Sequence, residues 1–190
     1  PFSLNGRTDR LLRRIVDDKK FEKSGLLVID GKSILIRNED ELLKKGVILT
    51  DLRSAEYEFP HLVEKVIASM EPISSDIFMA IARAFAQNGV VLYVPRGVKL
   101  EHPIYSLFVH HAENSAIITN LYVILEENSS VSLIHEMLSP LEASTEGFHI
   151  GENFFIVGNG ANLSLYEFQN WSESLWNFTH EKIIAKENSA

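Results

Sequence analysis

A polar corner recurs along the second half of the chain, and this repeat constrains the fold more than any other feature of the sequence. Residues 94–101 align with residues 127–134 and 158–165, and a fourth copy begins at Glu187, so that the offsets are 33, 31 and 29 residues. Each copy joins an apolar strand to an alternating strand through a turn rich in Gly, Asn and Ser, which adopt left-handed backbone conformations easily. A repeat of near-constant length predicts a β-solenoid, whose coils bury their faces against neighbouring coils. A β-sandwich stays open as an alternative, because turn signals roughly every 8–12 residues also fit that fold.

The repeat begins where the pattern of the chain changes. Residues 1–88 alternate helical and strand patterns, and residues 89–190 read as strands and turns. We therefore expect an N-terminal α/β region over 1–88, followed by a β-helical core over 89–190 with about three to four coils. Five residues are expected to have structural roles. Gly89 is expected to end the last helix, and the corners are expected to be formed by Pro95, Gly97, Asn128 and Gly160.

Residues 9–20 carry the pattern of an amphipathic helix. Leu11, Leu12, Ile15 and Val16 form one apolar stripe, and the opposite face is charged. We interpret the charged face as solvated and the stripe as the side that docks onto the rest of the protein.

The next segments predict a hairpin and a short helix. Two apolar runs flank Asp30-Gly31, a turn signal in which both residues tolerate positive φ. Asn38 is placed to cap a helix that Gly46 ends, and a strand over residues 47–50 follows.

Two longer helices are predicted before the repeat. One spans residues 59–70 with Pro60 in its first turn, and its buried stripe holds Leu62, Val63, Val66 and Ile67. Ser74 or Ser75 is expected to cap the second. The predicted packing face of the second consists of Ile77, Phe78, Ile81, Ala82 and Phe85.

Composition excludes several classes of function. The formal net charge is −8, so a nucleic-acid partner is not expected. No apolar run approaches the roughly 20 residues that span a membrane, and the first residues do not resemble a signal peptide. Cysteine is absent, which excludes disulfides and thiolate ligands within these 190 residues. The first residue is Pro1 rather than Met, and we expect the chain to be part of a longer protein.

Three stretches carry a family resemblance. Residues 88–104, with Tyr-Val-Pro-Arg-Gly-Val followed by Pro-Ile, resemble the strand that opens the β-helix of the SufB/SufD family of iron–sulfur cluster assembly proteins. Residues 45–52, with Gly-Val-Ile-Leu-Thr-Asp-Leu, are similar to an upstream segment of that family, and the corners at residues 125–131 and 158–161 agree with it.

The resemblance implies a right-handed parallel β-helix behind an N-terminal α/β region, and a cytoplasmic scaffold role without catalysis. It also implies pairing through the β-helix with a SufB-like paralogue or a second copy. A SufC-like ATPase would bind a C-terminal helical region outside these residues, and a transient iron–sulfur cluster would form in the full complex. Because no cysteine is present, the resemblance favours a SufD-like role. No cofactor-binding residue or metal ligand is carried over.

Histidine and glutamate side chains are the other candidates for metal binding or catalysis. The seven histidines include two His-Glu pairs, but adjacent strand residues point to opposite faces, so neither pair forms a chelate. No catalytic residue is predicted for the scaffold. An alternative is a β-helix enzyme acting on polysaccharide through Glu136 and Glu167, which the corner alignment places in equivalent positions of successive coils. The same alignment pairs His135 with Tyr166 at a half-exposed site. Trp171 is expected in an excursion between coils.

Trp176, like Trp171, is expected in the excursion between coils at residues 169–177. Core or loop packing and an exposed protein interface both remain open for this pair of tryptophans.

Overall fold

The computed structural model describes residues 24–72, 76–112, 114–139 and 146–190, with the side chain of Leu35 excepted. The helix predicted over residues 9–20 lies outside the described residues, as do Ser74 and Ser75. Strands dominate the described part of the chain. The expectation of a mainly β protein is therefore confirmed.

Four helices and ten strands are defined in the described residues. The helices are α1 (Asp40–Lys44), α2 (Leu52–Glu58), α3 (Pro60–Ser69) and α4 (Ile77–Phe85). The strands are β1 (Gly25–Ile29), β2 (Lys32–Arg37), β3 (Ile48–Asp51), β4 (Asn88–Val94), β5 (Ile104–Val109), β6 (Ala116–Leu125), β7 (Ser130–Leu138), β8 (Gly147–Val157), β9 (Asn162–Asn170) and β10 (Leu175–Ala185).

The strands form two five-stranded sheets. Sheet A has the order β2-β1-β5-β7-β9, and sheet B has the order β10-β8-β6-β4-β3. From β4 onward, consecutive strands alternate between the sheets, and each strand runs parallel to the strand two places further along the chain. Among the strands of the described residues, only β2 and β3 pair antiparallel with their neighbours, at one end of each sheet. The β strands of the N-terminal part thus extend the sheets that the repeats build.

The two sheets enclose an apolar interior. Its buried side chains come from alternate positions of both sheets, because successive strand residues point to opposite faces. Leu26, Phe108 and Leu133 line the side of sheet A, while Leu121 and Phe155 line the side of sheet B. Every one of these side chains is almost inaccessible to water, so burial between the two sheets stabilises both of them.

Helices cover the outer face of sheet B. Leu52 and Val66 of α2 and α3 pack on Val91, Tyr122 and Phe154 in a second apolar cluster. Further along the same face, α4 packs on β6 and β8 around the buried Ala82. In the described part of the chain, no helix is long and apolar enough to cross a membrane.

The corners are marked by left-handed residues in register. Positive φ occurs at Gly97 (72°), Asn128 (58°), Gly160 (63°) and Asn188 (56°). The corner backbones stack: the Gly97 N–H donates to the Glu127 carbonyl, the Asn128 N–H to Asn159 and the Gly160 N–H to Glu187, each at 2.9 Å. Only residues that tolerate positive φ fit these positions cheaply, which is why Gly and Asn alternate there.

The predicted register of the repeats was wrong by one or two residues. Strand pairing aligns Val94 with Leu125, Leu125 with Val157 and Val157 with Ala185, so the true offsets are 31, 32 and 28 residues. Small polar corner residues are chemically interchangeable and do not fix an alignment. The register is set instead by which side chains enter the interior.

The structure corrects the expectation for Gly89. The preceding helix ends at Phe85, and Gly89 is the second residue of β4, so it does not end a helix. A Cβ atom at this position would lie 2.0 Å from the Asn120 carbonyl oxygen. Glycine is needed here because the backbones of β4 and β6 approach closely, and not because of a left-handed turn.

Local signals before the repeat were partly right. The hairpin is confirmed, with positive φ at Asp30 (47°) and Gly31 (70°). Gly46 has φ 72° directly after α1, as a helix-ending glycine should. Asn38, by contrast, caps no helix: it lies one residue before the N-cap position of α1, and its side-chain amide donates to the Leu49 carbonyl at 3.1 Å.

Two predictions about the longer helices were also wrong. The N-cap of α4 is Asp76 rather than Ser74 or Ser75. Its carboxylate accepts hydrogen bonds from the backbone N–H groups of Phe78 and Met79. The predicted buried stripes include Ile67, Ile77 and Phe85, yet these side chains are 59%, 66% and 66% exposed. Each helix contacts the sheet through a narrower strip than its apolar pattern suggests.

Candidate functional site

The interior becomes polar toward the strands β9 and β10. The inward residues of β7 are Val131, Leu133, His135 and Met137, and their partners in β9 are Leu163, Leu165, Glu167 and Gln169. On the opposite sheet, the inward row changes from Leu121 in β6 to Asn153 in β8 and Glu181 in β10. These side chains form a polar layer, a name we use for His135, His149, Asn153, Glu167, Gln169, Asn177 and Glu181.

His135 is fully buried within this layer. Its Nδ1 lies 3.1 Å from the Ser106 hydroxyl, and its ring packs edge-on against Phe108 at a centroid distance of 4.8 Å. Its Nε2 atom has no hydrogen-bond partner in the described residues. Burial lowers the pKa of His135 to about 3, so the imidazole is neutral at physiological pH.

His149 is held by two hydrogen bonds and an aromatic stack. Its Nδ1 lies 2.7 Å from the Asn177 side-chain oxygen, and its Nε2 lies 2.8 Å from the Thr119 hydroxyl. The amide oxygen can only accept, so Nδ1 carries the proton and Nε2 accepts from threonine. Trp171 stacks on the ring at 5.0 Å, and burial lowers the pKa of His149 to about 4. The ring is thus fixed in one neutral tautomer.

Glu167 lies at the open side of the layer. Its two carboxyl oxygens accept from the Gln169 amide at 2.6 Å and from the Asn153 amide at 3.2 Å. Partial burial, together with the neighbouring carboxyl of Glu181, raises the pKa of Glu167 to about 7. The Glu181 carboxyl favours the protonated form of Glu167, because a second carboxyl group beside a half-buried carboxylate repels its charge.

The carboxylate pair predicted from the sequence is not assembled. Strand pairing places Glu167 beside His135 and Glu136 beside Phe168, so the two glutamates are not equivalent and point to opposite faces of sheet A. Glu136 accepts a hydrogen bond from the Tyr105 hydroxyl on the outer face. The pairing of His135 with Tyr166 at a half-exposed site was wrong for the same reason.

The two tryptophans occupy different environments. Trp171 packs against the interior core and on His149, whereas the Trp176 side chain is 61% exposed on the outer face of sheet B. The Trp176 ring is parallel to Phe178 at 6.5 Å, and Phe178 in turn stacks on Phe78 of α4 at 3.8 Å. Of the two tryptophans, Trp176 is therefore the one that could contribute to an exposed protein interface.

A buried ion pair fixes α4 onto sheet B. The Arg83 guanidinium donates to both carboxyl oxygens of Glu152 at 2.8 and 2.7 Å, and the Glu152 side chain is fully buried. Arg83 also donates to the Glu71 carbonyl. Neighbouring Asn120 joins the same network: its amide donates to the Ala82 carbonyl, and its oxygen accepts from the backbone of Glu152. This network connects the helical region with the repeats.

Sequence reasoning missed most of the polar layer. Asn153, Asn177 and Glu181 occupy inward positions of alternating strands, and that alternation is the signal that could have found them. Among the described residues, no group of three or more His, Cys, Asp or Glu side chains is arranged to hold a metal ion. The polar layer contains neutral imidazoles, which can in general ligate metals, but it does not bring three such ligands together.

Comparisons with known proteins place the chain in a family. The family model described as "SufBD protein N-terminal region" matches residues 17–105, and the model described as "SUF system FeS cluster assembly, SufBD core domain" matches residues 108–190. Iron–sulfur cluster assembly SufBD family proteins from Staphylococcus epidermidis (strain RP62A) and Staphylococcus aureus (strain MRSA252) are each 30% identical over 150 residues. The alignment covers 79% of this chain and 32% of each relative, so the chain spans about a third of the length of the relatives it matches. The two family models together account for nearly all of the sequence, and the chain belongs to the SufB/SufD family of iron–sulfur cluster assembly proteins.

Proposed function

We propose that this chain is part of a SufD-like scaffold subunit that supports iron–sulfur cluster assembly without catalysing a reaction itself. Membership of the family supports a role in cluster assembly. The SufD-like assignment rests on the absence of cysteine from all 190 residues, since a thiolate is the side chain that accepts sulfur or holds an iron–sulfur cluster.

The sheet topology is the observation that carries the scaffold proposal. Strands alternate between two sheets and run parallel to the strands of the next repeat, with left-handed corners in register. This arrangement supports a right-handed parallel β-helix as the fold of residues 89–190. Such a fold presents long, regular sheet faces and edges, which suit pairing with a second subunit of the same fold.

We infer the partners from the family. A SufB-type paralogue would pair through the β-helix, and a SufC-type ATPase would bind a C-terminal region beyond these residues. The nascent iron–sulfur cluster is then cargo of the assembled complex. In the described residues, no group of three or more His, Cys, Asp or Glu side chains could hold a metal ion, and we assign no cluster ligand to the polar layer.

Co-expression tests this proposal. The full-length protein carrying an affinity tag is produced together with SufB-type and SufC-type subunits of the same organism. Mass spectrometry then identifies the subunits that co-purify with it. We expect a complex containing both partners. A full-length protein that is folded by circular dichroism but brings down neither subunit would refute the scaffold role.

Two substitutions separate a scaffold from an enzyme. Glu136→Gln and Glu167→Gln are each expected to leave complex formation and complementation of a suf-deficient strain nearly unchanged. The two carboxylates lie on opposite faces of sheet A and have no common substrate to act on. Loss of complementation in both variants, with the complex intact, would contradict a purely structural role.

A further inference from the structure

The outer face of sheet B carries an aromatic patch near the ends of the strands at which β8 and β10 begin. We define the aromatic patch by its four rings: Phe78, Phe148, Trp176 and Phe178. Strand pairing places Phe148 directly beside Trp176, and the side chains of these two residues are 44% and 61% exposed. Both lie on the face opposite the inward His149, because strand residues alternate. Single exposed apolar side chains are common, whereas adjacent ones mark a contact surface.

The rings of the aromatic patch are held in a fixed arrangement. The Trp176 and Phe178 rings are parallel at 6.5 Å, and Phe178 stacks on Phe78 of α4 at 3.8 Å. The buried ion pair between Arg83 and Glu152 fixes α4 to the same sheet. Side chains that are already ordered lose little conformational entropy when a partner binds, so this surface is preorganised.

Three carboxylates lie next to the aromatic patch in the chain. Glu146 immediately precedes β8, Glu173 lies two residues before β10, and Asp76 immediately precedes α4. The first residues of β8 and β10, Gly147 and Leu175, pair with each other, so both glutamates lie at the edge of the sheet where the patch begins. All three carboxylates are exposed, and within the described ranges none of them forms an ion pair.

Cations on the same face do not offset these charges. Arg83 is paired with Glu152, and Lys182 is paired with Glu71 at 3.0 Å. Lys182 also lies six residues beyond Trp176 on β10, which corresponds to about 20 Å along a strand. The uncompensated charge beside the aromatic patch is therefore negative.

We propose that the aromatic patch binds an apolar segment of another protein that carries arginine. A guanidinium group stacks on tryptophan and pairs with carboxylates, so arginine matches both the exposed Trp176 ring and the neighbouring glutamates. Apolar side chains of the segment would cover Phe148. The proposal does not depend on the SufD-like role or on which subunits accompany the chain.

Charge argues against three other occupants. Nucleic acid and the anionic surface of a membrane would both be repelled by the carboxylates around the patch. A second copy of this chain has the same net charge of −8. If two copies paired patch to patch, their carboxylates would face each other, and like charges across an interface are unfavourable.

Calorimetric titration of the full-length protein with synthetic peptides tests the chemistry of the partner. The probes are three peptides of equal length, composed of leucine and arginine, leucine and glutamate, or glycine and arginine. We expect the leucine–arginine peptide to bind at least tenfold more tightly than either of the others, and less tightly as salt is added. Equal affinity for the leucine–arginine and glycine–arginine peptides would mean attraction by charge alone and would overturn the proposal, as would the absence of binding.

A matched pair of substitutions locates the binding site. Trp176→Ser should weaken binding of the leucine–arginine peptide at least tenfold, because tryptophan dominates many interfaces. Tyr57→Ser is the control: Tyr57 is an aromatic residue of α2 that is 89% exposed and lies outside the aromatic patch. Equal affinities in these two variants would show that the peptide binds elsewhere.

A second pair of variants tests the carboxylates and remains informative if Trp176→Ser fails to fold. Glu146→Gln/Glu173→Gln should weaken binding at least threefold and reduce its salt dependence. Glu58→Gln/Glu64→Gln removes two exposed carboxylates from α2 and α3, so the net charge changes equally, and this control should bind like the unsubstituted protein. The same affinity in both double variants would refute the role of the glutamates.

Sedimentation of the full-length protein without peptide tests for self-association through the patch. We expect Trp176→Ser to sediment like the unsubstituted protein. A smaller assembly in Trp176→Ser than in Tyr57→Ser would identify a second copy as the occupant and would overturn the proposal.

Discussion

Removing Arg83 should destabilise the protein strongly, because the carboxylate it neutralises is completely buried. Glu152 receives two hydrogen bonds from Arg83, at 2.8 and 2.7 Å, and its side chain has no access to water. The same guanidinium connects α4 to the Glu71 carbonyl at 2.7 Å. Arg83→Met keeps an unbranched apolar stem of similar length and deletes only the charge and its donors.

The expected cost follows from the buried charge that remains. Breaking a buried ion pair from one side typically costs about 3–5 kcal/mol, because the remaining ion is neither solvated nor well paired. At this site the remaining neighbour that can carry a positive charge is His180, whose Nδ1 lies 3.8 Å from the Glu152 carboxylate. For a chain of this size, each kcal/mol shifts Tm by about 2–4 °C, so a decrease of roughly 6–20 °C is expected. The double variant Arg83→Met/Glu152→Leu should recover much of this loss, because no charge is left in the buried site.

Urea unfolding followed by circular dichroism measures the effect. The midpoint should fall in Arg83→Met with an unchanged m-value, as for a loss of stability alone. Lys65→Met is the matched control: Lys65 also forms an ion pair with a glutamate, Glu126, at 2.5 Å, but these side chains are 42% and 31% exposed. We expect that control to cost less than about 1 kcal/mol. If Arg83→Met costs no more than Lys65→Met, the reasoning about the buried carboxylate is refuted.

Other predictions address the backbone and the interior. Gly89→Val should lower the free energy of unfolding by more than about 3 kcal/mol or prevent folding, because the new Cβ would lie 2.0 Å from the Asn120 carbonyl oxygen. A loss below about 1 kcal/mol in urea unfolding would contradict this close approach. Gly97→Ala should cost about 1–2 kcal/mol, because alanine is strained at φ 72°, and Gly97→Asn should cost clearly less; equal midpoints for the two would count against a conformational cause. Acidification should destabilise the protein: His135 and His149 have folded pKa values of about 3 and 4, below the ordinary value near 6.5, so their contribution to stability is complete above about pH 6.5 and falls as the pH drops toward those values, whereas Glu167, whose folded pKa is raised to about 7, offsets one proton of this change between about pH 7 and 4.5. The slope should be about 1.4 kcal/mol per pH unit for each histidine, and a His149→Gln variant with the same slope as the unsubstituted protein would show that His149 does not contribute.

The positive-φ turn positions were accessible from the sequence because they depend on local chemistry, and the family was accessible through the resemblance of residues 88–104 and 45–52. Asp30-Gly31 forms its turn, Pro60 begins its helix, and Gly97, Asn128 and Gly160 adopt the left-handed conformations that their residue types tolerate. The mainly β composition followed from the same local signals.

The register, and with it the candidate site, was decided only by the tertiary structure. A shift of one residue moves a side chain to the opposite face of a strand. The alignment of corners was off by one in the second repeat, and this single step moved the partner of His135 from Tyr166 to Glu167 and that of Glu136 from Glu167 to Phe168. Which residue lies inside depends on the pairing of strands that are about thirty residues apart in the chain.

The reason for Gly89 shows the same division. The structural importance of Gly89 could be predicted from the sequence, because a glycine at a boundary between helical and strand patterns is a strong local signal. Its cause, the approach of the Asn120 carbonyl from a neighbouring strand, involves an atom 31 residues away and exists only once the sheet has formed. The sequence by itself determined the turns, the strands and the family. The contacts between strands and between the two sheets determined which polar side chains are buried together, because burial depends on neighbours that no local pattern encodes.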